Sequence, residues 1–251
     1  GLVVVACDDP SQHSSQNEQD SRFYADFAMV PCFEPSDQEE AYHMVREAFE
    51  YSEKNHIPVL MRLTTRMAHS RAVVTTDDIL EQNEIRYPAP ERASAWVTLP
   101  ANAKKRVREL ADEILRFRED SEKSSDNSYA PGTDTSLGIV ACGIGYNYLM
   151  ENYPEGCPFP VLKVTRYPFP KKQVMDMAER CSKILVIEEG QPLIEEKLRG
   201  LLYDEKNCKV GIKGRLDGTL PRTGELDPDS VRKALGMEPL GACGKSEVPV
   251  P

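Results

Sequence analysis

The chain lacks a C-x-x-C pair, an excess of positive charge, and any run near the roughly 18 consecutive apolar residues that a membrane helix needs. Its seven cysteines stand at 7, 32, 142, 157, 181, 208 and 243, an odd and scattered set. That spacing offers neither a disulfide framework nor a zinc or iron–sulfur site, so the thiols read as small core residues of a reducing compartment. With 31 basic against 41 acidic side chains the net charge is −10. That balance argues against broad binding to nucleic acid or to an anionic membrane. No G-x-S-x-G, Walker loop, H-E-x-x-H or kinase signature occurs, and the first residues do not form a signal peptide. What remains, at 40% hydrophobic and 29% charged over 251 residues, is a soluble composition sized for one large or two modest domains. The expected location is cytoplasmic. Because the chain starts in Gly1-Leu2-Val3-Val4-Val5-Ala6 and stops in Val248-Pro249-Val250-Pro251, it reads as a segment of a longer polypeptide.

Leu2 to Ala6 is a β-branched run without alternation, as expected of a strand covered on both faces. Phe27 to Phe33 reads as another short strand. Ser36-Asp37-Gln38-Glu39 has the S-x-x-E pattern of a helix start, and Ala41, Met44, Val45, Ala48 and Phe49 behind it form one apolar stripe. Lys54-Asn55-His56 closes that helix and Pro58 to Leu63 is the next buried strand, giving a βαβ rhythm. From Thr64 to Leu99 the pattern fades into a long loop. An amphipathic helix follows over Asn102 to Asp120, and the polar Ser121 to Ser136 reads as a linker. Strands are then expected at Leu137–Cys142, Pro160–Thr165, Ile184–Ile187 and Lys209–Ile212, with helices at Tyr146–Asn152, Lys171–Cys181 and Leu193–Leu202. This alternation describes a doubly wound sheet. A last short helix is expected over Asp229 to Leu235.

The densest polar stretch, Asp8 to Arg22, follows the C-terminal end of a strand, where open parallel sheets place ligand-binding groups. Its carboxamides, hydroxyls, imidazole and guanidinium could orient a carboxylate-bearing substrate, with Arg22 as the bidentate partner. The plain alternative is a solvated loop. His13 and His69 lie in polar loops, whereas His43 and His56 read as structural or solvent-facing. No metal site is expected. Gly143-Ile144-Gly145 has the position but not the full pattern of a dinucleotide loop, since Tyr148 stands where a third glycine is needed. Close strand-to-helix packing explains it better. Glu188-Glu189 at a strand end reads as a solvated pair or one facing a partner domain.

Asp8-Asp9-Pro10 through His13 to Arg22, Glu34 to Asp37, Leu63 to Arg66 with His69-Ser70, and Leu220 to Leu226 resemble the alpha subunits of the indolepyruvate ferredoxin oxidoreductase family. These are thiamine-diphosphate-dependent 2-oxoacid:ferredoxin oxidoreductases. The resemblance implies an α/β protein in which residues 1–75 are the C-terminal half of a pyrimidine-binding domain and 76–136 a connecting segment. It implies further that 137–213 are a doubly wound transketolase C-terminal-like domain, and 214–251 a linker toward a thiamine-diphosphate-binding domain. Thiamine diphosphate, Mg²⁺ and [4Fe–4S] clusters would belong to the complete enzyme, with none held stably by this segment. The expected partners are the rest of the alpha subunit, a beta subunit, ferredoxin, a 2-oxoacid and coenzyme A. By the resemblance Arg22 binds the substrate carboxylate with His13, Gln16 and Asn17 as polar contacts, and Ser14, Ser15 and Glu18 face the cofactor. No catalytic residue is assigned. Two rival readings are a non-catalytic docking or assembly module and a nucleotide binder around Gly143.

Overall fold

The computed structural model describes residues 1–77, 97–203 and 210–238. Most of the expected long loop, the cysteines at 208 and 243, and the Val-Pro end lie outside the described residues. Two sheets organise the rest. The first has the order β1 (Val3–Asp8), β3 (Val59–Thr64), β2 (Cys32–Phe33) and β7 (Arg166–Tyr167), parallel except for the β2–β7 pair. The second runs β4 (Tyr129–Ala130), β6 (Val161–Val164), β5 (Gly138–Cys142), β8 (Lys183–Ile187) and β9 (Gly211–Lys213), with only β4 antiparallel.

The second sheet is covered on both faces because successive strand residues point opposite ways. Val140, Cys142, Ile184 and Val186 pack on α6 (Lys171–Arg180) and α7 (Leu193–Tyr203). Ile139, Ala141, Leu185 and Ile187 pack instead on α5 (Ile144–Glu151) and α8 (Pro228–Ala234). The doubly wound expectation is met here, strand by strand.

Four local expectations are corrected. The first strand exists, but it is an edge strand with one neighbour, so Val4 and Val5 are 46% and 53% exposed rather than covered. Phe27 to Phe33 is not a strand. Residues 22–28 form helix α1 (Arg22–Ala28), which buries Arg22 and Ala25, and Met29 ends it in the left-handed region before the two-residue β2. The cap of α2 (Gln38–Asn55) is Asp37, whose carboxylate accepts the Glu40 amide at 2.8 Å, while Glu40 takes the Ser36 amide and hydroxyl. The motif is one residue later than S-x-x-E suggests. Of the α2 stripe, Met44 and Ala48 are buried under the first sheet, whereas Val45 and Phe49 stay exposed.

The fourth correction concerns the linker. Helix α4 (Pro100–Lys123) extends into it, and Asn127 is buried. The Asn127 carboxamide donates to the Ser121 and Arg166 carbonyls, both at 2.9 Å, and accepts the Thr165 and Arg166 amides at 2.8 and 2.9 Å. A polar composition marks exposure only when no side chain satisfies the backbone, and here one asparagine does. The chain leaving β6 then crosses to β2, where the Glu34 amide donates to the Thr165 carbonyl at 2.7 Å. The two sheets are joined by this crossing and share a core through Ala25, Cys32, Leu60 and Tyr167.

Candidate functional site

The polar loop rises from the C-terminal end of β1 and is fastened at its base by carboxylates. Asp9 accepts the His13, Ser14 and Ser15 amides at 3.2, 2.8 and 2.9 Å and the Thr65 hydroxyl at 2.7 Å. These donors, the Ser14 amide foremost, hold its carboxyl well below the usual range. Asp8 accepts the amide and hydroxyl of Ser21 at 2.9 and 3.0 Å at the other end of the loop. Between these anchors residues 11–17 are exposed.

Arg22 does not join them at the surface. It is 2% exposed, and its guanidinium donates to Asp20 at 2.5 to 3.2 Å, to Glu188 at 2.9 Å and to the Glu189 and Gln191 carbonyls at 3.1 and 2.9 Å. With these acceptors in place the guanidinium has no bidentate edge left for a substrate carboxylate. In this structure it is a staple between the loop and the β8 end, and its expected contact with a substrate carboxylate is not seen.

Around it lies a buried charge cluster that sequence reading missed. Arg62 binds Asp8 at 2.5 Å and also pairs with Glu34, whose second oxygen accepts the Tyr167 hydroxyl at 2.5 Å. Arg215 donates to the carbonyls of Glu188, Pro221 and Gly224 at 2.9, 2.8 and 3.0 Å, shaping the 221–224 turn. Glu188 and Glu189, read as solvated or facing a partner, are 1% and 0% exposed. Glu188 accepts the Ile194 and Glu195 amides, Glu189 the Leu226 amide. One sequence signal was available: an arginine inside the apolar strand Val59-Leu60-Met61-Arg62-Leu63 needs a buried partner. Burial pushes the Cys32 and Cys142 thiols well up, so neither is an activated nucleophile.

Acid stability follows from the cluster. Burial alone would raise the Asp20 carboxyl, but the charges of Arg22 and Arg62 outweigh it and hold it well below the ordinary range. Its folded value is below the unfolded one of about 3.9, so its stabilisation is present above that pH and is lost as pH falls. Glu188 and Glu189 are raised by burial, and their contribution has the opposite sign, falling as pH rises above about 4.3. The urea midpoint is expected to drop below about pH 4, and an Asp20→Asn variant to be weaker at pH 7 with a shallower acid slope. Parallel midpoint curves for the two proteins would remove Asp20 from this account.

The loop's outer face is completed from the far end of the chain. Glu18 accepts the Gly224 amide at 2.8 Å, and the Ser11 hydroxyl accepts the Glu225 amide at 2.7 Å. Glu225 pairs with Arg66 at 2.9 Å and lies 3.4 Å from His13 Nε2. His13 and Arg66 thus meet at Glu225, and Ser14, Gln16 and Asn17 are exposed in the same loop as His13. Of the residues expected to face a cofactor, Glu18 is engaged in fastening the loop, and Ser14 and Ser15 give their amides to Asp9. His43, His56 and His69 lie elsewhere, half-buried on α2, exposed at its left-handed C-cap and exposed at the end of α3 (Thr65–His69). Among the described residues no group of three or more His, Cys, Asp or Glu is placed to hold a metal ion. No described helix is long and apolar enough to cross a membrane.

The indolepyruvate oxidoreductase subunit IorA of Methanothermobacter thermautotrophicus is 38% identical over 241 residues, covering 94% of this chain and 38% of that protein. The chain is a relative of one segment of IorA. The IorA subunit of Archaeoglobus fulgidus is 34% identical over 245 residues, with 95% and 38% coverage. The chain thus spans well under half the length of the IorA proteins it matches. No protein-family profile matches it. Among solved structures, the 2-oxoglutarate:ferredoxin oxidoreductase from Magnetococcus marinus superimposes with a TM-score of 0.59 at 13% identity, covering 93% of this chain and 48% of that one. At that identity the likeness shows the fold alone, and the fold is the α/β arrangement expected.

Proposed function

We propose that this chain is the part of an indolepyruvate-type 2-oxoacid oxidoreductase that presents the 11–17 loop to the substrate. The observation that carries the reading is the loop itself: seven successive exposed residues on a base fastened by the Asp9 and Asp8 carboxylates. Ordering such a loop costs conformational entropy, and polar groups presented from a rigid base suit ligand binding. Similarity to IorA over nearly the whole chain supports the reaction class. His13, Gln16 and Asn17 would contact a 2-oxoacid, and Arg22 would position the loop. The complete enzyme would decarboxylate aryl 2-oxoacids oxidatively to acyl-coenzyme A with ferredoxin as acceptor. It would use thiamine diphosphate, Mg²⁺ and [4Fe–4S] clusters, in the cytoplasm, together with the rest of the alpha subunit and a beta subunit.

The test is coenzyme-A-dependent reduction of ferredoxin by the complete enzyme, compared across indolepyruvate, phenylpyruvate, pyruvate and 2-oxoglutarate. Aryl substrates should be preferred. Asn17→Ala and His13→Ala should each lower kcat/KM by at least about tenfold, the scale of a hydrogen bond to a charged group. Wild-type kinetics in both variants would take the loop out of the site. Absence of turnover with every 2-oxoacid would favour an assembly module, a reading that the exposed Val4, Val5, Phe27 and Phe49 also suit.

A further inference from the structure

Away from the loop rim, a cleft of about 440 Å³ opens between α1, α4 and α7, a size that suits a small organic ligand. Its apolar wall includes Ala25, Met29, Val30, Ile114, Phe169 and Leu201, and the cations Arg118, Lys171 and Lys197 line it as well. None of His13, Gln16 or Asn17 does. Lys197 is paired with Asp26 at 2.8 Å. Arg118 and Lys171, in contrast, have no ion-pair or side-chain hydrogen-bond partner among the described residues. Arg118 is half-buried and Lys171 exposed, so both keep donors free toward the cleft in a chain of net charge −10. Arg22 reaches the cleft too, but its donors are engaged by Asp20, Glu188 and two carbonyls.

We infer that this cleft binds a small monocarboxylate carrying an aromatic or branched apolar body. The guanidinium of Arg118 matches a carboxylate in two parallel hydrogen bonds, and Lys171 adds a point charge. The apolar wall supplies the remaining affinity by removing a ring or branched chain from water. Gly200 provides a clean way to close the site. A Cβ added there meets nothing within 4 Å, and the position is inside α7, where leucine favours the helix more than glycine does.

The experiment is calorimetric titration of the 251-residue chain with phenylacetate and with phenylacetamide, its neutral counterpart. Phenylacetate should bind saturably with a Kd below about 1 mM and raise the melting temperature, with phenylacetamide at least about tenfold weaker. Arg118→Met should weaken phenylacetate at least about tenfold and leave phenylacetamide unchanged. Gly200→Leu should abolish binding of both while the melting temperature without ligand stays at or above wild type. Equal affinity for the two probes would overturn the proposal, as would no saturable binding of phenylacetate. So would phenylacetate binding that survives both substitutions in folded protein.

Discussion

Replacing Arg22 by methionine will lower the unfolding free energy by about 3–5 kcal/mol, the cost of breaking a buried ion pair by removing one partner. Methionine keeps much of the side-chain volume, so the loss is electrostatic rather than a cavity effect. Asp20 and Glu188, each 1% exposed at the side chain, are left facing one another without the guanidinium that separates them. The Glu189 and Gln191 carbonyls lose a donor as well. Urea unfolding at pH 7 measures the change. Arg222→Met is the control, because Arg222 makes one exposed hydrogen bond to Gln191 and its loss should shift stability by no more than about 0.5 kcal/mol. A loss below about 1 kcal/mol for Arg22→Met would contradict the staple. A stability unchanged from wild type, with KM raised in the complete enzyme, would return Arg22 to the substrate.

Gly143→Ala will destabilise the protein by about 1–3 kcal/mol through backbone strain, and by more through contact with Glu34. Gly143 has φ +48°, which side chains rarely adopt, and an added Cβ would stand 2.6 Å from Glu34 Cγ and 2.9 Å from its Oε1. Glu34 cannot retreat cheaply, since its carboxylate is held by Arg62 and by the Tyr167 hydroxyl. The same geometry disfavours a nucleotide reading of Gly143-Ile144-Gly145. A carboxylate lies against the turn where a phosphate would need to sit, and like charges at that distance repel. Gly145 has a packing reason, because a Cβ there would meet the Ile187 carbonyl at 2.9 Å. The prediction fails if Gly143→Ala melts with wild type, and the packing account fails if ADP binds this turn saturably.

Sequence alone determined the four parallel strands of the second sheet and the helices between them. Apolar runs such as Leu137 to Cys142 and Ile184 to Ile187, separated by one-sided helical stripes, have few ways to bury their surface. It also determined which loop carries the polar groups and, through its motifs, the resemblance to the indolepyruvate enzymes. Where the pattern was short, it misled. Phe27 to Phe33 is apolar enough for a strand, yet Arg22 binding Asp20 and Glu188 sets a helix there whose Phe27 is 88% exposed. Only tertiary structure revealed the buried partners of Arg22. Three of these partners, Glu188 and the Glu189 and Gln191 carbonyls, are more than 160 residues away in sequence. The same holds for the meeting of His13 with Glu225, 212 residues apart. Local patterns fix which segments are strands or helices because hydrophobic burial repeats with the backbone period. The pairing of charges depends on which chain ends the folded sheets bring together, and no local period encodes that.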